Sequence, residues 1–323
     1  MQKIGYLIIS CLFVACTAQP DLNTKVHECA PAPFARACAT SFVVDGQAYI
    51  FGGRANNTDS SYNDLWMYSP ATDQWTSLGA TPLQARVNAT ACVHEGLVYI
   101  GLGFAGGGSK DSLYLRDWWV YNPKENSWTA LADYPNSYTD CASAFVGEKE
   151  LYVGYGFCWQ YRRDMFRYNI RENTWDSIDV GVAFHGYPTR SFGGTGTTCQ
   201  KRHFMGTGYY RYSLDWWAEL VDGTHWEERT PVPGRTRTLA KTTATENYIY
   251  LSGGMHYGGV ATTAEVLQDI RRYDPQNDQW TYVAILPERL FNHITFAIGK
   301  RIYFGLGETE EWKVQNKLYY IEE

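Results

Sequence analysis

Apolar and polar positions along this chain of 323 residues repeat one script. In its first full copy Cys38 to Val44 alternates as a strand, and Asp45-Gly46 makes a turn. Gln47 to Phe51 is a second strand that ends in Gly52-Gly53. A variable loop follows, then Asp64 to Tyr68, a Pro-containing turn and Gln74 to Leu78. The glycine pair recurs as Gly101/Gly103, Gly154/Gly156, Gly206/Gly208, Gly253/Gly254 and Gly305/Gly307. Glycine there permits a positive φ and a close backbone approach where the second strand leaves its sheet. A single four-stranded sheet cannot bury its own faces, so stacked copies are expected to close into a ring.

A second periodicity supports the first. Tyr stands seven positions before Trp in Tyr68–Trp75, Tyr121–Trp128, Tyr168–Trp175 and Tyr273–Trp280. A weaker copy ends at Trp226 and reads Glu219 at the expected Tyr position. The five Trp follow one another at 53, 47, 51 and 54 residues, and a period near 50 marks a repeat architecture. These rings bring large apolar areas to the faces between neighbouring sheets. The last copy stops after Leu318–Ile321, one strand short, and Lys25 to Pro33 lines up with the outer-strand segment Gln74 to Pro82. The chain therefore reads as an all-β, six-bladed propeller closed by an N-terminal strand that completes the last blade.

Gly-Gly, Tyr and Trp in this order, with Arg opening the inner strand, resemble Kelch repeats over roughly residues 25 to 323. The phrases Val98 to Gly103 and Asp117 to Pro123 are similar to Kelch lipoproteins of the Bacteroidetes type and to the propeller of bacterial sialic-acid epimerases. The resemblance implies a propeller scaffold, which serves many unrelated activities.

The first residues bear on the compartment. Lys3 followed by the apolar run Ile4 to Ala15 has the layout of an export signal and is too short to span a bilayer as a helix. The segment Leu12-Phe13-Val14-Ala15-Cys16 resembles a bacterial lipobox, with Phe13 in place of the usual Leu. The expected organisation is a lipoprotein signal peptide at 1–15, a lipidated Cys16 opening a tether at 16–24, and the propeller at 25–323. Cleavage after Ala18 to give a soluble secreted protein is the alternative. The expected location is the cell envelope, as an outer-membrane lipoprotein on either face. Composition agrees with an all-β fold, with 25 Tyr, 14 Phe, 12 Trp and 30 Gly. A net charge of −6 offers no basic footprint for nucleic acid.

Arg36, Arg86, Arg190, Arg237 and Arg289 recur at the start of the inner strand, within one position of the same rank. A ring of guanidiniums near one mouth of the channel would suit a carboxylate, sulfate or phosphate; alternatively each satisfies backbone carbonyls and acids between blades. Counted back from the glycine pairs, Asp140 and His293 share a rank where other repeats have Ala39 and Ala89, which makes them the candidate catalytic residues. Trp159, Tyr161, Tyr209, Tyr210, His256 and Tyr257 enrich the loops of the same face, where flat rings suit sugars or a protein partner. Gly103 to Ser109 follows a strand but opens no helix, so a phosphate cradle is not expected.

Six cysteines lie beyond the leader, with no C-x-x-C and no zinc spacing, so neither a metal nor a cofactor is expected. A Cys29–Cys38 disulfide that fastens the closing strand is the first candidate pairing. Two activities hosted by Kelch-like propellers are set aside. The copper-oxidase type needs two Tyr and two His, one from a further domain; the specifier type needs Glu-x3-Asp-x3-His, whereas Glu265, Asp269 and Tyr273 end in Tyr. The expected function is a non-catalytic binding module for a glycan or an envelope protein. The alternatives are a sialic-acid-type sugar epimerase or mutarotase, and a structural subunit of an outer-membrane assembly.

Overall fold

The structure, a computed structural model, describes residues 24–56, 60–106, 114–135, 139–158, 160–161, 164–179, 192–258 and 264–323. Residues 1–23, Cys16 among them, lie outside this set. The chain opens with β1 (His27–Glu28) and then builds six four-stranded antiparallel sheets. Blade 1 holds β2 (Thr40–Val44), β3 (Gln47–Phe51), β4 (Asp64–Ser69) and β5 (Gln74–Ala80). Blade 2 holds β6 (Thr90–His94), β7 (Leu97–Gly101), β8 (Trp118–Asn122) and β9 (Ser127–Ala130). Blade 3 holds β10 (Ser143–Val146), β11 (Glu150–Gly154), β14 (Met165–Asn169) and β15 (Thr174–Ile178), with the small hairpin β12 (Phe157–Cys158) and β13 (Gln160–Tyr161) in its loop. Blade 4 holds β16 (Thr195–Cys199), β17 (Arg202–Gly206), β20 (Trp217–Val221) and β21 (His225–Arg229), with the hairpin β18 (Tyr209–Tyr210) and β19 (Tyr212–Ser213). Blade 5 holds β22 (Lys241–Ala244), β23 (Ile249–Ser252), β26 (Asp269–Asp274) and β27 (Gln279–Ile285), with β24 (Met255–His256) and β25 (Glu265–Val266) paired beside it. Blade 6 is β28 (Ile294–Ile298), β29 (Arg301–Gly305) and β30 (Leu318–Glu322), and β1 adds its fourth strand through His27–Tyr320 and Glu28–Tyr319.

The second strand of a blade is apolar along most of its length because neighbouring blades cover both its faces. In β3, Ala48 to Phe51 are all buried, and in β7 so are Val98 to Gly101. The outer strand alternates instead: β5 turns Trp75 inward and exposes Gln74, Thr76 and Ser77. The core is accordingly divided among the blade interfaces. Tyr68 with Ile294 and Tyr303 fills the seam between blades 6 and 1, and Phe204, Trp217, Ile249 and Tyr273 fill that between blades 4 and 5. Each such large side chain contributes roughly 1.5–3 kcal/mol by leaving water.

Every second strand ends in two consecutive left-handed residues. They are Gly52-Gly53 at φ 63° and 87° in blade 1 and Gly253-Gly254 at 55° and 96° in blade 5, but Leu102-Gly103, Tyr155-Gly156, Thr207-Gly208 and Leu306-Gly307 in the other four. In blade 1 both positions exclude a side chain, a Cβ at Gly52 standing 2.7 Å from the Arg86 carbonyl oxygen, and in blade 2 a Cβ at Gly103 would stand 2.5 Å from the Val87 carbonyl oxygen. This geometry corrects the rank of Asp140. The true doublet of blade 3 is Tyr155-Gly156, with Gly154 still inside β11, so Asp140 bridges Phe157 as Ala37 bridges Arg54. Asp140 thus stands two positions before the rank of His293.

The Tyr and Trp of blades 1, 3 and 5 fasten each of these blades to the one before, whereas in blade 2 only the internal Tyr121–Asn126 bond (3.0 Å) forms among the described residues. The Tyr273 hydroxyl donates to Asp278 (2.7 Å), which accepts the Thr230 N–H (2.9 Å), and the Trp280 indole donates to the Thr230 carbonyl (2.9 Å). Tyr168, Asn173 and Trp175 clasp Ala132 in the same way. Tyr68, Asp73 and Trp75 clasp Ala30, so the closing strand is held from both sides. Blade 4 departs from this. Its turn is one residue shorter, and pairing sets Leu220, not Glu219, opposite Trp226. Glu219 faces Glu227 and is held by Arg202 and Arg229.

Cys29 and Cys38 are free thiols, and the expected disulfide is absent. Cys29 follows the outermost strand of blade 6 and packs near Tyr68, whereas Cys38 precedes the innermost strand of blade 1. Strands stand about 4.8 Å apart, and a blade's width exceeds the roughly 7 Å that a disulfide tolerates between Cα atoms.

Candidate functional site

The loops that follow the doublets all open on one face, and the short β-turns occupy the other. The arginine rank lies just beneath the loop face. Arg36 donates to both carboxylate oxygens of Asp64 (2.6 Å each) and to the Gly52 carbonyl (3.0 Å). Arg86 repeats this with Asp117 and the Leu102 carbonyl, and Arg237 with Asp269 and the Gly253 carbonyl. All three are buried, and their terminal nitrogens are occupied within their own blade. Burial alone would raise the pKa of Asp64, yet the bonds from Arg36 and Trp66 hold it below the usual carboxylate value. Arg237 and Arg271 do the same against burial for Asp269. The expected ligand-binding role of Arg36, Arg86 and Arg237 is therefore corrected: they orient the doublet and the third strand of their own blades. Leu290 occupies this rank in blade 6; Arg289, one residue earlier, donates to the Val266 carbonyl (2.6 Å) and faces Glu310 (3.6 Å). Arg190 lies outside the described residues.

Above the arginines, a ring of left-handed residues surrounds the channel mouth: Cys38, Asn88, Cys141, Gly193, Leu239 and Asn292, with φ between 50° and 64°. Backbone bonds join them from blade to blade, Leu239 to Gly193, Asn292 to Leu239, Cys38 to Asn292 and Asn88 to Cys38. Cys141 makes neither of its two ring bonds among the described residues; its backbone N–H and thiol turn to the Asp140 carboxyl, as does the Asn88 side chain. Burial pushes Asp140 up to about 7 against these bonds and the Lys241 charge, and its Oδ1 is left without a hydrogen bond.

His293 is fully buried, and its Nε2 pairs with the Ser252 hydroxyl at 2.8 Å. Burial lowers its pKa to about 3, so it is neutral in the folded protein. Asp140 and His293 do not meet as an acid–base pair: no hydrogen bond or ion pair joins them, and they sit on blades 3 and 6. The two sites they mark share only the Lys241 charge, which acts on both.

The aromatic residues of the loops pack largely on one another. Tyr209 meets Tyr257 edge-on with centroids 5.7 Å apart, and the Tyr257 N–H bonds Ser213. His256 pairs with Thr236 through Nδ1 (2.9 Å). Trp159 lies outside the described residues, and for Tyr161 only the backbone, in β13, is described. Among the described residues three large apolar side chains are exposed on this face: Tyr62 at 39%, Tyr212 at 45% and Trp312 at 49%. Sequence reasoning missed Tyr62, Tyr212 and Trp312 because they lie in loops with no shared pattern. It also missed Arg54 and Glu308, which join blades 1 and 6 at 2.7 Å across the mouth. Among the described residues no group of three or more His, Cys, Asp or Glu is placed to hold a metal.

Six blades built on paired left-handed residues, a buried Arg–Asp fork and a Tyr–Trp clasp define a Kelch-type β-propeller. A family model described as the KLHDC2/KLHL20/DRC7 Kelch-repeats domain matches residues 12–208, and a Kelch motif model matches residues 236–287. The chain belongs to the Kelch-repeat family. It is 25% identical over 250 residues to Kelch-like protein 23 of Mus musculus, covering 76% of this chain and 41% of that protein. With Kelch-like protein 36 of Bos taurus it shares 23% identity over 278 residues, 80% of this chain and 42% of the relative. The chain thus spans about two fifths of the length of these curated relatives. Among solved structures, YjhT superposes with a TM-score of 0.72 at 16% identity, over 90% of this chain and 95% of that one.

Proposed function

We propose that this chain is a non-catalytic binding module of the cell envelope, lipid-anchored through Cys16, that docks a partner protein on its loop face. The observation that carries this reading is the exposure of Tyr62, Tyr212 and Trp312 on that one face, while among the described residues the other large apolar side chains are at least partly buried. Exposed aromatic residues above a rigid scaffold are what protein hot spots use. The epimerase alternative relied on the arginines as receptors for an acidic sugar, and Arg36, Arg86 and Arg237 hold internal carboxylates instead.

A photo-crosslinking residue placed at Tyr212 or Trp312 in living cells tests the docking face. Discrete protein adducts are expected there and not at Lys124 or Arg171, which stand on the turn face. Adducts confined to the turn face, or none at either, would overturn the reading, and capture of glycan in their place would move it to carbohydrate. The anchor is tested by metabolic labelling with a fatty-acid probe. The label is expected on the native chain and absent from Cys16→Ser.

A further inference from the structure

The innermost strands β2, β6, β10, β16, β22 and β28 enclose a cavity of about 170 Å³ at the loop end. It continues into a wider space of about 440 Å³ toward the turn end, and Ser41, Ala91 and Thr242 line both parts. The first position of these strands is Thr40, Thr90, Ser143, Thr195, Lys241 and Ile294. Thr40 and Thr90 each donate to a carbonyl of the next blade, Ala89 at 2.6 Å and Ala142 at 3.0 Å, and Thr195 pairs with Thr242 at 2.7 Å. These hydroxyls quiet the open edges of the inner strands.

Lys241 breaks that rank. Among the described residues it is the one charged side chain lining the cavity, and it has no hydrogen-bond or ion-pair partner. A cation within a confined cavity costs free energy unless an anion or water meets it, and nothing in the repeat pattern demands it. On the same cavity wall a buried acceptor, Asn88 Oδ1, also stands without a hydrogen bond. One unpaired ammonium and one unpaired amide oxygen on a shared cavity wall complement a ligand that carries a carboxylate and a hydroxyl donor together.

We infer that the central cavity is a binding site for a small hydroxy carboxylate, with the Lys241 ammonium as its anchor and Asn88 as an acceptor for its hydroxyls. The backbone ring narrows the loop end, so the ligand enters from the wider turn end. This site is separate from the proposed docking face and rests on none of its residues.

Calorimetric titration of the purified full-length chain tests it, with gluconate, acetate and sorbitol as probes. Gluconate is expected to bind saturably, acetate more weakly, and sorbitol not at all. Lys241→Thr restores the residue that three other blades carry, so the variant is expected to fold, as circular dichroism will show. It should lower gluconate affinity at least tenfold, whereas Lys241→Arg should hold it within a few-fold. Asn88→Ala should weaken gluconate and leave acetate unchanged. Failure of gluconate to bind the folded native chain, equal binding by Lys241→Thr, or sorbitol binding as tightly as gluconate would each overturn the inference. The docking reading is scored separately, by cross-linking at Tyr212 and Trp312, so either result can fail alone.

Discussion

The seam between blades 4 and 5 and the seam between blades 3 and 4 use the same fold with different fastenings. At the first, Asp278 receives both the Tyr273 hydroxyl and the Thr230 N–H, and the Trp280 indole closes on the Thr230 carbonyl. At the second, Leu220 has no hydroxyl, and the Trp226 indole is buried without a hydrogen bond beside Tyr155, whose hydroxyl also lacks one. Blade 4 is tied instead by ions, with Arg202 and Arg229 closing on Glu219, and Arg202 reaching the Pro275 carbonyl toward blade 5. A cleft of about 850 Å³ opens at the 3/4 seam, lined by Glu148, Lys149, His203 and Asp222 among others. A ring of similar blades therefore need not have similar seams. The short turn of blade 4 takes the Asx residue and the hydroxyl out of register, while blade 2 keeps that register from Tyr121 to Asn126 and still sends no clasp bond to blade 1 among the described residues.

The largest expected effect comes from Asp278→Ala, which strands two donors at once. It should cost about 2–3 kcal/mol in urea denaturation, while Asp222→Ala, at the clasp-free seam, stays within about 0.5 kcal/mol. Equal losses would erase the distinction between the seams. Glu219→Ala should follow at about 2 kcal/mol, since it leaves Arg202 and Arg229 facing each other half-buried, an effect that salt should shrink. A smaller contrast separates the two indoles. Trp280→Phe should lose about 1 kcal/mol with its hydrogen bond, and Trp226→Phe close to nothing, because its N–H is already unpaired.

How much of this was legible in the sequence differs from part to part. The fold was, because Tyr and Trp sit on strands whose spacing the blade geometry imposes, and the closing strand showed itself through its match to Gln74–Pro82. The rank of Asp140 was not. The left-handed step is Gly-Gly in two blades, but Tyr155 or Leu102 fills its first position elsewhere, and a glycine inside the preceding strand imitates the doublet. The arginines were visible, but the acids that occupy them, Asp64, Asp117 and Asp269, lie about thirty residues onward at the start of the third strand, beyond a loop of variable length. Glu219 was read as a failed Tyr because the count assumed a constant turn. Lys241 was readable in principle, as the one charged residue in a rank of Thr, Ser and Ile.

The smallest contrast lies at the channel mouth, where the backbone ring runs unbroken from Gly193 through Leu239, Asn292 and Cys38 to Asn88 and is interrupted at Cys141. There the Cys141 N–H and the Asn88 side chain turn to the Asp140 carboxyl. Its pKa is raised to about 7, above the ordinary carboxylate value it regains on unfolding. The folded state thus binds the proton more tightly, and stability from this group is complete below about pH 4 and lost as pH rises through 7. A shift of this size corresponds to at most about 4 kcal/mol, and solvent screening of the part-exposed Asp140 reduces it to under about 1 kcal/mol. Asp140→Asn should therefore match the native chain at pH 4 and exceed its stability slightly at pH 8. Comparing the two proteins at each pH cancels His293, whose lowered pKa makes both less stable as pH falls below about 6.5. If Asp140→Asn is instead destabilised at pH 8, the carboxylate is ionised and paired, with Lys241 as the cation in reach. The 3/4 side of the mouth would then be held by an ion pair, as blade 4 is by Glu219.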